Sequence, residues 1–584
     1  MLNIKESHKP VKEYYTALDT FSKHGITHET AVRNAFQTLL DYCCRQMQWD
    51  FIEEFHIKKF KKHISIDGAF LDKYSIPQGY WEAKDSNDDL KTEIKKKFDD
   101  GYPRDNIIFQ QPDRAIIYQG STLFCDEDIT SPPRLVLVLK DLFSYKTDTQ
   151  LDWENAAEEF RQRIPESAKL VIELIEKERE GNKRFTGAFE SFAALCRNAV
   201  NPNLADAAIE EMLVQHLLTE RIFTKIFDNP DFTGKNIIAG EIEKVINALT
   251  SRSFNKAEFF KPLNRFYVSL EKRAVAIDDY SQKQAFLNTV YEKFFQGFAV
   301  RVADTHGIVY TPQPIVDFMV ESVDEILKRE FGLSLGAPNV HVLDPFTGTG
   351  NFIVRAMRQI SKTELKHKYM NELHCNEVML LPYYIASMNI EHEYYQLTGE
   401  YEPFTGICLV DTFQIAEGAQ TSLFTEENTQ RVQKLKETPI FVYMGNPPYN
   451  AGQVNENDNN KNRKYKYLDK RVSDTFAKDS KATNKNMLQD PYIKAFRMSM
   501  DKIIERGEGI VAYVTNNSSI DAIALDGMRK HIEEHFDKVF IVDLKGNIRK
   551  DSMKDGIPLG EKHTVFGLAA MVGISINILV KKKG

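Results

Sequence analysis

Cysteine is scarce and scattered: six in 584 residues, at positions 43, 44, 125, 196, 375 and 408, with no Cys-x-x-Cys spacing among them. That pattern excludes a disulfide framework or a cysteine zinc site and fits buried, reduced thiols. No apolar run reaches the ~18 residues that a membrane-spanning helix needs. Met1–Pro10 is polar, without the apolar core of a signal peptide. The chain is therefore expected in the cytoplasm, with no membrane partner. Excess positive charge is also missing: the net charge is −8 and the pI about 6.0. A protein that coats nucleic acid is usually basic overall, so any DNA contact must come from local basic surface. No Gly-x-x-x-x-Gly-Lys-Ser/Thr loop is present, so nothing in these residues supports an ATP-driven motor of that type. No complete Gly-x-Gly-x-x-Gly is present either, which argues against a bound dinucleotide.

Hydrophobic residues make up 42% of the chain and charged residues 27%, enough apolar material for sizeable cores. At roughly 100–200 residues per domain the length suggests about three domains, and the patterning divides accordingly. Residues 1–150 mix helical and strand-like stretches; Ile64–Phe70, Tyr80–Lys84, Ile107–Phe109 and Ala115–Tyr118 read as strands. Residues 151–300 read as a helical connector, with Ile209, Met212, Leu213 and Leu217 on one face. Residues 301–584 alternate short apolar strands with helices, the pattern of a doubly wound, mostly parallel sheet. Strands are predicted at Val340–Leu343, Leu373–Cys375, Phe441–Met444, Gly509–Val514, Val539–Val542 and Ile574–Leu579. Asn455–Asn486, rich in Asn, Lys and Asp, reads as a mobile loop.

Two motifs carry chemistry in the last region. The strand ending at Asp344 runs through Pro345-Phe346-Thr347-Gly348-Thr349-Gly350 into a helix. Such a turn lies at a sheet's switch point, and its glycines let a ligand approach the main chain. About a hundred residues later, Asn446-Pro447-Pro448-Tyr449 follows another apolar strand. An aromatic amine is a poor nucleophile because its lone pair is delocalised. The Asn446 side-chain oxygen and the Pro447 carbonyl can accept from both of its N–H groups and expose that lone pair. Two consecutive prolines, Pro447 and Pro448, hold the turn, and Tyr449 offers a face for a base swung out of a duplex.

Asp-Pro-Phe-x-Gly-x-Gly followed by Asn-Pro-Pro-Tyr resembles the gamma-type amino-group DNA methyltransferases, which modify adenine N6. The resemblance implies a Rossmann-like domain that binds S-adenosyl-L-methionine. Gly307–Val316 resembles that family's preceding cofactor segment, which implies Thr311 and Pro312 near the methionine end, together with Asp344, Gly348 and Gly350. By the same likeness Glu377 accepts from the ribose hydroxyls and Asp411 from the adenine amino group of the cofactor.

In the first region Asp67, then Glu82-Ala83-Lys84 on the next strand, fits the Asp…Glu-x-Lys pattern of metal-dependent nucleases. Asp67 and Glu82 would hold Mg²⁺ beside a phosphate and Lys84 would orient the attacking water. Glu29 is a candidate third carboxylate. Glu93-Ile94-Lys95 also matches Glu-x-Lys, but on a helix. The connector's Gln215–Phe223 and the segment around Tyr291–Phe298 resemble type IIG and single-polypeptide type I restriction-modification enzymes. That likeness implies a small α/β nuclease domain of the PD-(D/E)xK, Mrr-like kind, a helical connector and a methyltransferase in one chain. No helicase motor is expected. No target-recognition domain fits before Gly584, which implies a separate recognition subunit or a longer protein.

The leading expectation is thus a site-specific adenine methyltransferase acting on double-stranded DNA, with a Mg²⁺-dependent endonuclease alongside. The basic, aromatic stretch Lys461–Tyr467 is a candidate DNA-backbone contact. RNA or protein glutamine stays open as the methyl acceptor, because enzymes acting on those also carry the tetrapeptide. A cofactor-sensing, non-catalytic DNA-binding subunit is the third reading, and the intact tetrapeptide argues against it.

Overall fold

Buried apolar strands flanked by amphipathic helices build two separate units: Met1–Ile164 with Lys261–Phe295, and Pro165–Phe260 with Gln296–Gly584. The computed structural model describes residues 2–23, 29–59, 62–72, 77–84, 89–146, 148–199, 204–226, 236–250, 260–275, 286, 290, 311–417, 426–448, 464–546, 553–554, 557–558 and 573–583. No helix among the described residues is long and apolar enough to cross a membrane. The cysteines are free thiols, all buried except the half-buried Cys125.

The first unit contains α1 (Lys9–Lys23), α2 (Glu29–Met47), β1 (Asp50–Lys59), β2 (Lys62–Leu71), β3 (Pro77–Ala83), α3 (Leu90–Asp99), β4 (Asn106–Gln110), β5 (Arg114–Gln119), β6 (Thr122–Asp128) and α4 (Pro132–Ser144), with a further helix at Asn264–Val275. The strands form one six-stranded sheet in chain order. Every pairing is antiparallel except β3 with β4, where α3 makes the crossover that a parallel pair requires. Alternation sorts the side chains onto two faces. Ile107 and Phe109 pack with Leu90 and Ile94 of α3, while Ile108 packs with Phe36 of α2 and Leu139 of α4. The four strands predicted here are present, and β1 and β6 are additional.

The second unit opens with helices. α5 (Asp148–Gly181) crosses the boundary in sequence, and α6 (Lys183–Ala199), α7 (Asp206–Ile226) and α8 (Ile237–Thr250) follow. Ile209, Leu213 and Leu217 are fully buried along one face of α7, as their spacing predicts. Then come α9 (Gln313–Ile326), β7 (Val342–Asp344), α10 (Asn351–Gln359), α11 (Lys362–Asn371), β8 (Leu373–Glu377), α12 (Leu380–Thr398), β9 (Ile407–Leu409), α13 (Thr412–Ala416), α14 (Glu426–Glu437), β10 (Val442–Gly445), α15 (Lys466–Val472), α16 (Pro491–Arg506), β11 (Gly509–Asn516), α17 (Asp526–His535) and β12 (Lys538–Asp543). β13 (Met553–Lys554) and β14 (Ile557–Pro558) form a separate short pair before β15 (Ile574–Lys581).

Seven strands make the large sheet, in the order β12-β15-β11-β10-β7-β8-β9. All run parallel except β15, which is antiparallel to both neighbours. Every predicted strand of this region is found, and β9, only three residues long, is added. The order reverses at β7 and β10, so the crevice beyond their carboxyl ends is where such a sheet takes a ligand.

The expectation of a loop over 455–486 needs correcting. Residues 449–463 lie outside the described residues, but from Lys466 the chain is helical. Leu468, Val472 and Phe476 repeat every four residues and are at most 5% exposed. Their stripe is hidden in the sequence by the charged residues that fill the solvent side.

Candidate functional site

Asp344 closes β7 at the switch point, and its side chain is wholly buried. Oδ1 accepts from the Phe346 amide at 3.0 Å. Oδ2 is buried with no hydrogen-bond partner among the described residues. Burial pushes this carboxyl up to about 8, and the nearby Glu377 adds to the rise. A charge held there needs a cationic or donor group to face it.

The loop after Asp344 is pinned from several sides. Thr347 Oγ1 donates back to the Asp344 carbonyl at 3.0 Å and the Thr347 amide donates to Asn376 O at 3.1 Å. Asn389 Nδ2 donates to Thr349 O at 2.9 Å. Thr412 Oγ1 donates to Pro345 O at 2.7 Å and accepts from Asn376 Nδ2 at 2.9 Å. Gly348 and Gly350 have φ of 56° and 88°, where only glycine sits without strain. Their surroundings differ. A Cβ on Gly350 would come within 3.2 Å of Ala386 Cα on α12, whereas one on Gly348 would meet nothing within 4 Å. Gly350 thus seats the loop on the helix, and Gly348 faces the open side from which a ligand can approach.

Glu377, at the end of β8, is turned onto the main chain. Oε2 accepts from Gly348 N, and Oε1 from Val378 N and Met379 N, each at 2.8 Å. Burial raises it to about 7 against the pull of those amides. A carboxylate has about four acceptor positions, so room for a ribose is narrower than the two hydroxyl bonds the sequence suggests. Asp411 caps α13 by accepting from Phe413 N at 2.9 Å, and its Oδ2 accepts from Tyr465 Oη at 2.7 Å.

Asn446 follows β10 directly beside this loop. The parallel register sets Val442 against Val342 and Tyr443 against Leu343. Gly445 can lie there only because it has no side chain: a Cβ would stand 2.5 Å from Asp344 Oδ1. Asn446 Nδ2 donates to Thr311 Oγ1 at 3.0 Å, which orients the amide and turns its oxygen away from Thr311. Pro312 caps α9, Pro447 is buried and Pro448 half-buried. The structure therefore brings Thr311, Pro312, Asp344, Gly348, Gly350, Glu377, Asp411, Asn446, Pro447 and Pro448 to one end of the sheet. Tyr449, Gly307–Tyr310 and Tyr291–Phe298 lie outside the described residues.

Sequence reasoning missed Tyr465 and Gly445. Tyr465 is 2% exposed, packs edge-on to Phe413 and lies under Lys494 Nζ. It cannot act as a free DNA contact, which corrects the expectation for that stretch. Lys464, Lys466 and Tyr467 remain exposed, and 461–463 lie outside the described residues.

A second polar cluster lies in the first unit. Asp67 on β2 and Glu82 on β3 flank the Gly68–Trp81 pair. Asp67 Oδ2 accepts from Ala83 N at 2.8 Å, and Oδ1 lies 3.2 Å from the Arg33 guanidinium. Glu82 Oε1 takes Lys84 Nζ at 2.9 Å and Lys97 Nζ at 2.5 Å. Burial and then Glu82 raise the Asp67 carboxyl above its usual range. The cluster joins the buried Glu82 and the half-buried Asp67 with Lys84, as expected, and adds Lys97 and Arg33. The Glu29 side chain lies outside the described residues, and Glu93 is on α3.

Residues 153–282 match the coupler domain of Type ISP restriction-modification enzymes, and residues 282–487 match the N-6 DNA methylase family. The chain is similar to the protein of a DrdV–DNA complex solved by cryo-electron microscopy: 35% identity and a TM-score of 0.69, over 98% of this chain and 56% of that one. It is similar to a nuclease-deletion mutant of the Type ISP enzyme LlaGI with a DNA substrate mimic, at 34% identity and a TM-score of 0.67, over 77% and 36%. It is also similar to the ATP-dependent Type ISP enzyme LlaBIII bound to DNA, at 35% and 0.66, over 76% and 30%. The chain thus spans about half or less of the length of these proteins. No curated protein matches it.

The two loop glycines should respond differently to alanine. Each substitution forces a left-handed residue, costing about 1–2 kcal/mol. Gly350→Ala adds the collision with the α12 backbone, for about 1–3 kcal/mol more. Chemical denaturation should show Gly350→Ala clearly less stable than Gly348→Ala; equal losses would contradict the packing role of Gly350.

Proposed function

The chain carries an N-6 DNA methylase domain and a Type ISP coupler domain, and from that premise we propose that it is a site-specific methyltransferase moving a methyl group from S-adenosyl-L-methionine to adenine N6 in double-stranded DNA. The observation that supports this most is Asn446 held against Thr311 beside the buried Asp344 carboxylate.

The site fits the cofactor in two respects: the unpartnered Asp344 Oδ2 suits an ammonium, and the open side of Gly348 leaves a cradle that a Cβ would fill. Bound there, the cofactor supplies an electrophilic methyl group on a sulfonium. Asp344 receives its α-ammonium end, with Thr311, Pro312 and Gly350 shaping that end. Glu377 accepts from a ribose hydroxyl, and Asp411 accepts from the adenine amino group. Asn446 Oδ1 and the Pro447 carbonyl accept from the N–H groups of the target amine and localise its lone pair. Pro448 fixes the turn, and Tyr449 stacks on the base. Positioning carries most of the rate, because the displacement itself needs only alignment.

The first unit is read as a PD-(D/E)xK-like nuclease with Mg²⁺ held by Asp67 and Glu82. Two carboxylates at adjacent positions on neighbouring strands repel one another, and Lys84, Lys97 and Arg33 offset that repulsion as a divalent cation would. Lys84 is assigned to orient the attacking water beside a phosphate. The division into a nuclease (1–150), a connector (151–300) and a methyltransferase (301–584) follows this reading, as does a cytoplasmic location. Target recognition is assigned to a separate subunit or to further residues of a longer protein, since the chain spans about half or less of the proteins it resembles.

Labelled S-adenosyl-L-methionine and duplex DNA should yield N6-methyladenine on digestion. Asn446→Ala should slow transfer by about 10²–10³-fold while cofactor affinity, measured by calorimetry, stays within a few-fold. An unslowed variant, or transfer only to RNA or protein, would overturn the reading. For the first unit, Glu82→Gln and Lys84→Ala should each abolish Mg²⁺-dependent cleavage of target DNA and leave methylation intact; undiminished cleavage in either would remove the nuclease assignment.

A further inference from the structure

His216 on α7 is 1% exposed and held at both ring nitrogens. Nδ1 lies 3.1 Å from Tyr384 Oη on α12, and Nε2 lies 3.1 Å from Glu243 Oε1 on α8. Glu220 follows His216 by one helical turn, so both side chains reach the same side of α7. Ligand atoms of His216, Glu220 and Glu243 lie within 4.8 Å of one another, and both carboxylates are only half-buried, so an ion can reach them from solvent.

From this geometry we infer that His216, Glu220 and Glu243 form a binding site for a zinc-class divalent cation. Zinc takes imidazole nitrogen and carboxylate oxygen at about 2.0–2.2 Å, which sets neighbouring ligand atoms roughly 3.0–3.5 Å apart. The 3.1 Å between His216 Nε2 and Glu243 Oε1 falls in that range before any adjustment. Glu220 closes the remaining distance by a change of side-chain rotamer. Without an ion, Nε2–H donates to Glu243 and Nδ1 accepts from Tyr384 Oη; an ion on Nε2 would displace that proton, and Tyr384 Oη would then accept from Nδ1–H, the outer-shell bond that metal-binding histidines commonly make. One histidine and two carboxylates carry two negative charges, which match a dication, and a fourth position is left for water.

The site joins three helices of the second unit. Tyr384 lies on α12 two residues before Ala386, the residue on which Gly350 rests. A bound ion therefore ties α7 and α8 to the helix that seats the glycine loop. The inference rests on the side-chain geometry and not on the methyltransferase reading.

A second His/Glu group on the described surface, His531, Glu534 and His535 of α17, provides the internal control. There Lys530 pairs with both Asp479 and Glu534 and His531 is bonded to Asp479, so a fixed positive charge already occupies the cluster.

The test uses the full chain, stripped with a chelator and titrated with Co²⁺ as a coloured probe, then with Zn²⁺ by displacement. Expected, with Mg²⁺ in excess to fill the Asp67/Glu82 site, is one tightly held ion per chain with visible absorption bands of low-symmetry Co²⁺. Glu243→Gln and Glu220→Gln, both at half-buried positions, should each weaken binding by about 10-fold or more, and Tyr384→Phe should weaken it within the 10–100-fold range of outer-shell changes. His216→Gln should abolish it, with thermal midpoints of all variants measured without metal to show that they are folded. The double variant His531→Ala/His535→Ala should bind as the parent does. The inference is overturned if the stripped chain takes up no ion, if Glu243→Gln and Glu220→Gln bind as the parent does, or if binding disappears in the His531→Ala/His535→Ala variant.

Discussion

A carboxylate with no exposure, one oxygen of which has no partner among the described residues, closes β7 at the switch point of the large sheet, and the local architecture follows from accommodating it. Gly445 has to be glycine because Asp344 Oδ1 lies where its Cβ would be. The Phe346 amide turns in to satisfy that same oxygen, which starts the loop bend. Glu377 holds the loop's far side through Gly348. Asn446 then emerges after the neighbouring strand, beside that unpartnered carboxylate oxygen. Ionising Asp344 in the absence of a cation opposes folding, because its carboxyl is raised to about 8 from 3.8. That contribution is absent at low pH, where the group is neutral, and grows as pH rises toward 8. A cationic ligand removes the penalty.

The two polar clusters solve like-charge crowding in different ways. In the first unit, Asp67 and Glu82 are compensated by Arg33, Lys84 and Lys97. In the second, among the described residues, Asp344 and Glu377 are met by main-chain amides. The first arrangement sets three cationic side chains against two carboxylates and suits exchange of an ammonium for a metal ion. The second is left short of positive charge and suits capture of a cationic small molecule.

Much of this was legible in the sequence. Buried parallel strands read as short apolar runs, so β7, β8, β10, β11, β12 and β15 could be placed without a structure. The glycine loop and Asn446 could be placed because each directly follows such a strand. What stayed hidden depends on surroundings. β1 carries Glu53, Glu54 and Lys58, and β6 exposes Leu123 and Phe124, so neither shows a buried-strand pattern. β9 has only three residues. The helix at Lys466 hides its apolar stripe among charges. The Tyr465–Asp411 bond, spanning 54 residues, and the second lysine on Glu82 are tertiary contacts with no local signature.

The most direct measurement is the proton balance of cofactor binding, read by calorimetry at pH 7 in buffers of different ionisation enthalpy. Asp344, raised to about 8, is mostly protonated at that pH, and Glu377, raised to about 7, is about half protonated. A cation that draws Asp344 into its ionised form must therefore expel a proton. Expected is release of close to one proton or somewhat more per S-adenosyl-L-methionine at pH 7, declining as pH rises past 8, where Asp344 is already ionised and the ligand's own α-amino group begins to need a proton, and largely lost at pH 7 in Asp344→Asn. Binding with no proton release at pH 7 would contradict the assignment of Asp344 as the buried carboxylate that receives the cofactor.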